Sequence, residues 1–493
     1  MTWNDIIYLL PEIILAIGAS LLLIAPVSGF RAHAPAAKWS MLALLAIAAA
    51  TVAVCSVAVT RIPDATPAFA AMFALDAFSI FFKMLLIITV ALVTLLSDDY
   101  LRDSRYSHWE YYSLMAFALC GMMFMASGIH LATIYVGLEL MSLSSYILAG
   151  YFKNEQKSTE AAMKYFVLGA VSSAILLYGI TLIYGVTGSL NLTTISRYMS
   201  TLLDNDALVF GIVLLAAGLC FKIAAAPFHV WTPDVYEGSP TPITAFLSTA
   251  SKAAAFAMFA RIFYVALPHF RLDWSAVLAT VAALSMIVGN LAAITQNNIK
   301  RMLAYSSIGH AGYVLLGIIG MSGMALRGVL IYSVVYIFAT LGIWAVVLRL
   351  KQHQYAGEMI DDFEGLSRRA PFAAFAMVMF LLSLGGIPPT AGFIGKYFLF
   401  FSAMEAGYTW LAVIAVLMSA VSMFYYLRIV VAMYLREGSE AAVGTSGTLR
   451  FVVALCLLVT LFFGVMPKQL IRQVELSSSG VVSRATALPN ARR

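Results

Sequence analysis

Apolar stretches long enough to cross a lipid bilayer recur along almost the whole chain, and they constrain its fold more than any other feature. A helix of about 20 apolar residues spans the hydrocarbon core, where every backbone polar group must be hydrogen-bonded within the protein. Hydrophobic residues make up 62% and charged residues only 11% of the 493 residues, whereas globular domains carry roughly 25% charged residues. The sequence therefore predicts an all-α polytopic membrane protein.

Apolar windows predict about fourteen transmembrane helices, with no soluble domain between them. We divide the chain into residues 1–109 (helices 1–3), 110–270 (helices 4–8), 271–440 (helices 9–13) and 441–493 (helix 14 and a polar C-terminal tail). The tail contains SSSG and ends in ARR, and we expect it to be loosely held. The N-terminal segment lacks the basic start of a signal peptide, so we interpret it as the first span.

Lysine and arginine are unequally distributed between the short loops on the two sides of the predicted membrane domain. About fourteen lie on one side and about four on the other, and the excess is typical of the cytoplasmic side. This asymmetry places both termini on the periplasmic side. Basic residues in the C-terminal tail run against the tally, but the first helices usually set the orientation.

Four ionisable residues lie inside the apolar stretches, namely Glu139, Lys222, Lys252 and Lys396. A charge near the bilayer centre costs a few kcal/mol or more, so such residues generally mark an ion or proton pathway. Snorkelling to a lipid headgroup is the plainer explanation for a lysine. Mostly apolar residues flank Lys252 on both sides, which favours the pathway.

Two predicted helices carry a lysine beside a proline. Helix 7 reads GLCFKIAAAPFHVW, with Lys222 five residues before Pro227, and helix 12 reads SLGGIPPTAGFIGKYF, with Lys396 seven residues after Pro389. Proline removes a backbone donor, so both helices are predicted to be discontinuous. The reversed order of lysine and proline predicts two inverted five-helix repeats, helices 4–8 and 9–13, with ion sites near the membrane midplane. The alternative is that proline and glycine are simply frequent in membrane helices.

Glu139 has a predicted partner in Lys164, early in helix 6, because an unpaired carboxylate at this depth would tend to become neutral. Tyr135 and Ser142 lie on the same helix face as Glu139. The pair is either a static ion pair or one member of a coupled series with Lys222 that titrates as a group.

Two histidines are further candidates. His310, in YSSIGHAGY, could bridge Lys252 to Lys396, because histidine has an ordinary pKa near physiological pH. A lone histidine is often a structural hydrogen-bond donor, which is the alternative. His229 follows Pro227 directly, and it either relays protons or caps the broken helix.

Other patterns exclude several classes of chemistry. The four cysteines are far apart, with no C-x-x-C, which argues against a disulfide framework or an iron–sulfur site. The seven histidines show no metal-ligand spacing, and no nucleotide-binding glycine motif is present. Any redox chemistry must therefore occur in another chain. Asp76 and Lys83, near the start of helix 3, are expected to pair with each other as a structural element.

Three stretches resemble a known family. KIAAAPFHVWTPDVYEGSPTPITAFLSTASK, YSSIGHAGY and GGIPPTAGFIGKYF are similar to the antiporter-like N subunit of bacterial proton-translocating NADH–quinone oxidoreductase, respiratory complex I. The similar M-type subunit has a glutamate where this chain has Lys396, and the L-type subunit is longer. The resemblance implies a charged axis along the membrane midplane, formed by Glu139, Lys164, Lys222, Lys252 and Lys396, with His310 as its central histidine.

The resemblance implies a non-redox subunit of a translocase, which moves protons along this axis when other subunits reduce quinone. It implies no cofactor in this chain, with NADH, FMN, iron–sulfur clusters and quinone bound by partner subunits. The expected partners are an M-type subunit, the small K-type and J-type subunits and membrane lipids, in the inner membrane of a bacterial cell and without nucleic acid. The alternatives are a cation/proton antiporter subunit and a structural spacer in a membrane complex.

Overall fold

The computed structural model describes residues 3–26, 34–61, 66–69, 71–101, 106, 108–199, 205–351, 357–438 and 446–486, which are almost entirely helical. Twelve segments within them are long and apolar enough to cross a membrane. The predicted all-α polytopic membrane fold is therefore confirmed. The count of fourteen spans stays a prediction, because two of the predicted spans are not among the twelve: helix 4, and helix 12, which is divided in two.

The N-terminal part consists of three long helices and one small hairpin. These elements are α1 (Trp3–Ile24), α2 (Ala34–Arg61), β1 (Thr66–Ala68), β2 (Phe73–Leu75) and α3 (Ala77–Leu101). The two strands pair antiparallel, with Thr66 opposite Leu75. They connect α2 to the start of α3.

The middle part contains the first broken helix and a π-helical turn. Its elements are α4 (His108–Ser127), α5 (Leu131–Ala149), α6 (Gln156–Thr187), α7 (Leu192–Met199), α8 (Asp206–Ile223), α9 (Trp231–Gly238), α10 (Thr241–Phe246), the π turn Leu247–Ser251 and α11 (Lys252–Val265). The last three form one continuous, fully buried span. It lies at the centre of the bundle.

The rest of the chain contains the second broken helix. Its elements are the 3₁₀ turn Pro268–Phe270, α12 (Arg271–Ile294), α13 (Ile299–Gly320), α14 (Gly323–Lys351), the 3₁₀ turn Ile360–Phe363, α15 (Leu366–Arg369), α16 (Pro371–Gly385), α17 (Ala391–Glu405), α18 (Thr409–Leu435), α19 (Gly447–Val465) and α20 (Pro467–Thr486). Like the π-containing span, α14 is buried along its whole apolar window.

Both predicted helix breaks are present. The helix α8 ends in a left-handed residue, Ala224 with φ +61°, and α9 begins only at Trp231. The helix α16 ends at Gly386 with φ +84°, and α17 begins at Ala391. Left-handed residues of this kind satisfy the last carbonyls of a helix through backbone N–H groups. The helices α8 and α16 therefore end at the buried residues Ile223 and Gly385, whereas Pro227 and Pro389 within the breaks are exposed.

Glycines allow neighbouring helices to approach closely. A Cβ added to Gly137 of α5 would lie 2.8 Å from the carbonyl oxygen of Gly121 on α4. A Cβ added to Gly289 of α12 would lie 2.5 Å from the backbone nitrogen of Gly309 on α13. Small residues at such contacts increase van der Waals packing, which drives helix association in lipid. These contacts fix the positions of α5 and α13, which both carry candidate site residues.

The predicted pairing of Asp76 with Lys83 is wrong. Asp76 precedes α3 and accepts hydrogen bonds from both terminal nitrogens of Arg261 on α11, each at 2.8 Å. Lys83 lies about two turns into α3 and pairs with Glu12 of α1 at 2.6 Å. Sequence spacing does not reveal either partner, because each one lies on a helix that is distant in the chain.

The expectation of a loosely held C-terminal tail is also wrong for residues 467–486, which form α20. Leu470, Val474 and Val481 are buried, and their spacing is that of one helix face. Arg327 at the start of α14 pairs with Glu475 at 3.2 Å. Although its composition is polar, this segment forms an amphipathic helix.

Changing Asp76 to Asn is expected to destabilise the protein strongly. The change leaves the buried Arg261 guanidinium, whose side chain is 0% exposed, without its carboxylate, and breaking a buried pair costs about 3–5 kcal/mol. Thermal denaturation of the purified protein in detergent measures the loss. The control is Glu475→Gln, because Glu475 is 61% exposed and surface pairs contribute about 0–1 kcal/mol. Equal shifts for both variants would contradict the expectation.

Candidate functional site

Three lysines are buried deep in the bundle, and neutral oxygens accept their hydrogen bonds. Lys222, Lys252 and Lys396 are 4%, 2% and 4% exposed. Serine and tyrosine hydroxyls and backbone carbonyls are their acceptors. Among the residues that the structure describes, none of the ion pairs involves these lysines. Since buried charges are normally paired, this arrangement is unusual.

Lys222 lies in the last turn of α8, just before the first helix break. Its ammonium nitrogen donates to Ser142 Oγ of α5 at 2.8 Å and to Tyr165 OH of α6 at 3.4 Å. The carbonyl end of a helix is the end of its dipole that favours a cation. The break therefore gives Lys222 a favourable position inside the bundle.

Glu139, in the middle of α5, is half-buried and accepts a hydrogen bond from Ser173 of α6. Tyr135 OH lies 3.0 Å from the same serine oxygen. Glu139 and Lys164 form no ion pair, so the predicted partner is wrong. Lys164 lies nine residues before Ser173 on α6, which displaces it about 13 Å along the helix axis.

Lys164 pairs instead with Asp234 of α9 and with Glu160 of its own helix, both at 2.7 Å. Asp234 also pairs with Arg301 at the start of α13, at 2.7 Å. The neighbouring Glu237 contacts Arg301 at 2.9 Å. Asp234 therefore joins one predicted repeat to the other. Sequence reasoning missed this residue, although an acid just beyond the break in helix 7 was a usable signal.

Lys252 begins α11 directly after the π turn Leu247–Ser251. Its ammonium nitrogen donates to the hydroxyl of Ser307 at 2.8 Å and to the carbonyl of the same residue at 3.0 Å. π turns are rare and occur frequently at functional sites. Sequence reasoning missed both the turn and the role of Ser307, because neither has a clear sequence signal.

His310 is held between two tyrosines. Its Nδ1 contacts Tyr332 OH of α14, and its Nε2 lies 2.9 Å from Tyr426 OH of α18. Tyr426 also contacts Ser306, one turn before His310. A neutral imidazole has one donor and one acceptor, and a tyrosine hydroxyl can serve either. Both ring nitrogens are therefore engaged in hydrogen bonds.

Lys252 and His310 line the same internal cavity of about 10 Å³, together with Ser307 and Tyr332. A cavity of roughly this volume holds about one water molecule. The structure thus brings these two candidate residues together. The tyrosines that complete the cavity, Tyr332 and Tyr336, lie on the next helix, α14, and sequence reasoning did not single them out.

Lys396 lies on α17 and points back at the end of α16. Its ammonium nitrogen donates to the carbonyl of Gly385 at 3.0 Å and to Ser419 Oγ of α18 at 2.7 Å. It also lies 4.7 Å from the ring centre of Tyr313, which contacts His310 at 5.6 Å between rings. A pocket of about 320 Å³ opens beside it. The second break therefore supplies an acceptor for Lys396.

His229 lies in the first break and is half-buried. Its backbone carbonyl accepts a hydrogen bond from the backbone N–H of Thr232 at 2.9 Å, at the start of α9. Within the described part of the chain, its Nδ1 has no hydrogen-bond partner. The structure therefore places its backbone at the start of α9 and does not connect its Nδ1 to the lysines.

The described residues contain no group of three or more histidine, cysteine, aspartate or glutamate side chains that could hold a metal ion. All four cysteines are buried and free. The chemistry that this site offers is therefore that of its lysines, histidine, hydroxyls and carboxylate.

Comparison with known proteins gives consistent matches. The family described as NADH:quinone oxidoreductase/Mrp antiporter, TM, matches residues 127–422. NADH-quinone oxidoreductase subunit N of Trichlorobacter lovleyi is 45% identical over 435 residues, which cover 88% of both chains. The protein of the same name from Parvibaculum lavamentivorans is 43% identical, over 94% of this chain and 95% of its own length.

Solved structures agree with these matches. A chain of respiratory complex I from Thermus thermophilus with bound aureothin is 35% identical, with a TM-score of 0.80, over 94% of this chain and 98% of that one. A chain of the Mrp complex from Dietzia sp. has a TM-score of 0.84 at 21% identity, over 99% of this chain and 98% of that one, which shows a shared fold. Because the sequence relatives are similar over most of their length, this chain belongs to the NADH-quinone oxidoreductase subunit N family.

Proposed function

We propose that this chain is a proton-translocating membrane subunit of NADH-quinone oxidoreductase, and that protons pass along Lys222, Lys252, His310 and Lys396. One observation carries the assignment of the pathway: three almost fully buried lysines whose hydrogen-bond acceptors are all neutral oxygens. Membership of the subunit N family supports the assignment of the complex.

Uncharged hydrogen-bond acceptors around the three lysines favour proton transfer. When an ammonium loses its proton beside a hydroxyl or a carbonyl, no carboxylate is left unpaired in the membrane, which would be strongly unfavourable. Hydroxyl groups can also accept one proton and donate another. Ser307 and the cavity beside it provide such a link between Lys252 and His310.

The proposed pathway is a row of four residues, Lys222, Lys252, His310 and Lys396, and its two ends differ in their surroundings. At one end, Ser142 and Tyr165 hold Lys222, and Glu139 lies on the same helix as Ser142. At the other end, Lys396 borders a pocket of about 320 Å³. We infer that Glu139 receives the signal from neighbouring subunits, and that Lys164 contributes through its pair with Asp234. We keep His229 as a possible relay residue, outside the main pathway, since its carbonyl accepts a hydrogen bond from the first turn of α9.

The two predicted repeats, residues 110–270 and 271–440, account for the placement of the row. Each contains one broken helix, and each break provides a helix end close to one lysine. We infer that the repeats face opposite ways across the membrane. In that arrangement the protons enter from the cytoplasm and leave on the periplasmic side, and both termini are periplasmic.

The energy for moving protons against the membrane potential must come from outside this chain. Moving one charge against 100 mV costs about 2.3 kcal/mol, and we infer that quinone reduction in other subunits supplies it. The chain itself then acts as a non-redox subunit. NADH, FMN, iron–sulfur clusters and quinone would bind to partner subunits in the bacterial inner membrane, and M-type, K-type and J-type subunits would be its neighbours.

Changing Lys222 or Lys396 to Gln is expected to reduce proton translocation by about tenfold or more, because a positioned proton-transfer group is lost. NADH-driven proton uptake by proteoliposomes that contain the assembled complex measures the effect. The matched control is Lys468→Gln, since Lys468 is exposed on α20.

Unchanged pumping in both variants, with the complex assembled, would contradict the proposed pathway. A structural spacer would then be the remaining alternative. Sodium-driven pH changes by the isolated chain would favour a cation/proton antiporter instead. Co-purification with flavin and iron–sulfur chains tests the proposed complex independently of the pathway.

Changing Gly386 to Ala is expected to reduce translocation severalfold although every charged residue remains. Gly386 has φ +84°, where a Cβ costs about 1–2 kcal/mol, and that Cβ would lie 2.8 Å from Lys396 Cδ. The same pumping assay measures the loss. Gly185→Ala is the control, because no heavy atom lies within 4 Å of the added Cβ. Full activity of the Gly386 variant would show that the position of Lys396 is not critical.

Changing Asp234 to Asn is expected to reduce pumping to the level of Lys164→Gln, because Asp234 holds Lys164 beside Arg301. Glu160→Gln removes the other partner of Lys164. The side chain of Glu160 is 56% exposed, so this change should have little effect on pumping, since exposed ion pairs are weak. Pumping rates of the three variants in matched proteoliposomes test this. A loss in Glu160→Gln as large as that in Asp234→Asn would exclude a special role for Asp234.

A further inference from the structure

The proposed pathway has one interval that lacks a shared contact, between Lys222 and Lys252. The ammonium of Lys222 donates to Tyr165 of α6, and that of Lys252 donates to Ser307 of α13. Among the described residues, the two lysines share no hydrogen-bond acceptor. Lys252 and His310, by contrast, line one cavity. A group that connects Tyr165 to Ser307 would complete the row.

The short helix α9 lies between the helices that carry these two acceptors. It packs against α6, which carries Tyr165, and against α13, which carries Ser307. Asp234 fastens α9 to both, through ion pairs of 2.7 Å with Lys164 of α6 and with Arg301 of α13. A side chain of α9 is therefore placed to interact with both sites.

Tyr236 is the residue of α9 in this position. It is 0% exposed, and its hydroxyl oxygen has no hydrogen-bond partner among the described residues. The hydroxyls of Tyr336, Ser307 and Tyr165 are its polar neighbours, and that of Tyr165 interacts with it most weakly. Ser307 and Tyr336 also line the cavity beside Lys252. Because buried hydroxyls are normally hydrogen-bonded, an unpartnered one between two candidate proton carriers requires an explanation.

Ring packing and one backbone contact hold Tyr236 in place. Trp231, at the start of α9, stacks on Tyr165 with 4.5 Å between the ring centres. The same Trp231 ring meets Tyr236 edge to face at 6.4 Å. The backbone carbonyl of Tyr236 accepts a hydrogen bond from the hydroxyl of Thr244 on α10 at 2.9 Å. These contacts fix the ring without using its hydroxyl, which is left available for another role.

We propose that the Tyr236 hydroxyl passes protons between the Lys222 site and the Lys252 site, an inference that rests on the proposed pathway. The Lys222 ammonium gives a proton to the Tyr165 hydroxyl, which passes its own through one water molecule to Tyr236. The Tyr236 hydroxyl accepts this proton and donates its own to Ser307, which donates one to the neutral amine of Lys252. A hydroxyl can accept one proton and donate another, so every oxygen ends neutral and one positive charge has moved.

The variant Tyr236→Phe tests this link, because it removes the hydroxyl and keeps the ring. It should assemble and denature at the same temperature as the unchanged protein, since no protein group loses a partner. NADH-driven pumping by proteoliposomes that contain the assembled complex should fall about fivefold, the effect of losing one hydrogen bond during proton transfer. The ratio of the pumping rates in H2O and D2O should rise, because proton transfer between the two lysines then limits the rate.

Tyr112→Phe is the matched control. Tyr112 of α4 is also 0% exposed, and within the described part of the chain its hydroxyl likewise has no hydrogen-bond partner. It is not among the residues that accept from Lys222 and Lys252 or line the cavity between Lys252 and His310. This variant should pump at the full rate with an unchanged isotope ratio.

Three results would overturn the link through Tyr236: full pumping by Tyr236→Phe, equal losses in Tyr236→Phe and Tyr112→Phe, or a loss in Tyr236→Phe without a change in the isotope ratio. Failure of the pathway itself gives a different result, which is normal pumping in Lys222→Gln and Lys396→Gln. Loss of pumping in these two lysine variants, together with full pumping in Tyr236→Phe, would overturn the link and leave the pathway standing.

Discussion

The burial of ammonium groups in a membrane without carboxylate partners is the constraint on which the rest of this structure depends. Lys222, Lys252 and Lys396 all occupy such positions. Each needs several oxygen acceptors at the same depth, and the backbone of an uninterrupted apolar helix supplies few, because each of its carbonyls already accepts one hydrogen bond. Hydroxyl groups of neighbouring helices, the Ser307 carbonyl of α13 and the Gly385 carbonyl at the second break meet this requirement.

The two helix breaks contribute to the surroundings of these lysines in different ways. The break after α8 places a carbonyl helix end beside Lys222, and the break after α16 provides the Gly385 carbonyl that accepts from Lys396. The π turn before Lys252 lies in a span that, like α14, is buried along its whole apolar window. Irregular backbone at membrane depth is tolerated only inside protein or along a cavity, and Gly385 and Gly386 at the second break line the pocket beside Lys396.

The cations that form ion pairs and the three buried lysines of the row differ in the groups that accept their hydrogen bonds. Arg261 of α11 pairs with Asp76, directly before α3, and Lys83 of α3 pairs with Glu12 of α1. These buried pairs fasten α1 to α3 and the start of α3 to α11. Lys164 has two partly exposed carboxylate partners, one of which also binds Arg301. The three buried lysines of the row have none among the described residues. This difference in acceptors, more than burial alone, is the reason why we propose these lysines, and not the ion-paired groups, for proton exchange.

The sequence by itself determined the membrane fold, the two helix breaks and the presence of buried charge, because hydropathy and proline act locally and are visible in a single segment. It also indicated His310 and the broken-helix lysines as candidates. Only the tertiary structure decided which groups meet: Asp234 with Lys164, Ser307 with Lys252, and two tyrosines with His310. Except for Tyr332, which lies on the helix after that of His310, these partners lie on helices that are not consecutive in the chain. Helix packing, which a linear pattern does not encode, brings them together. The amphipathic helix α20 was missed for a related reason, since the surface that buries its apolar face belongs to other helices.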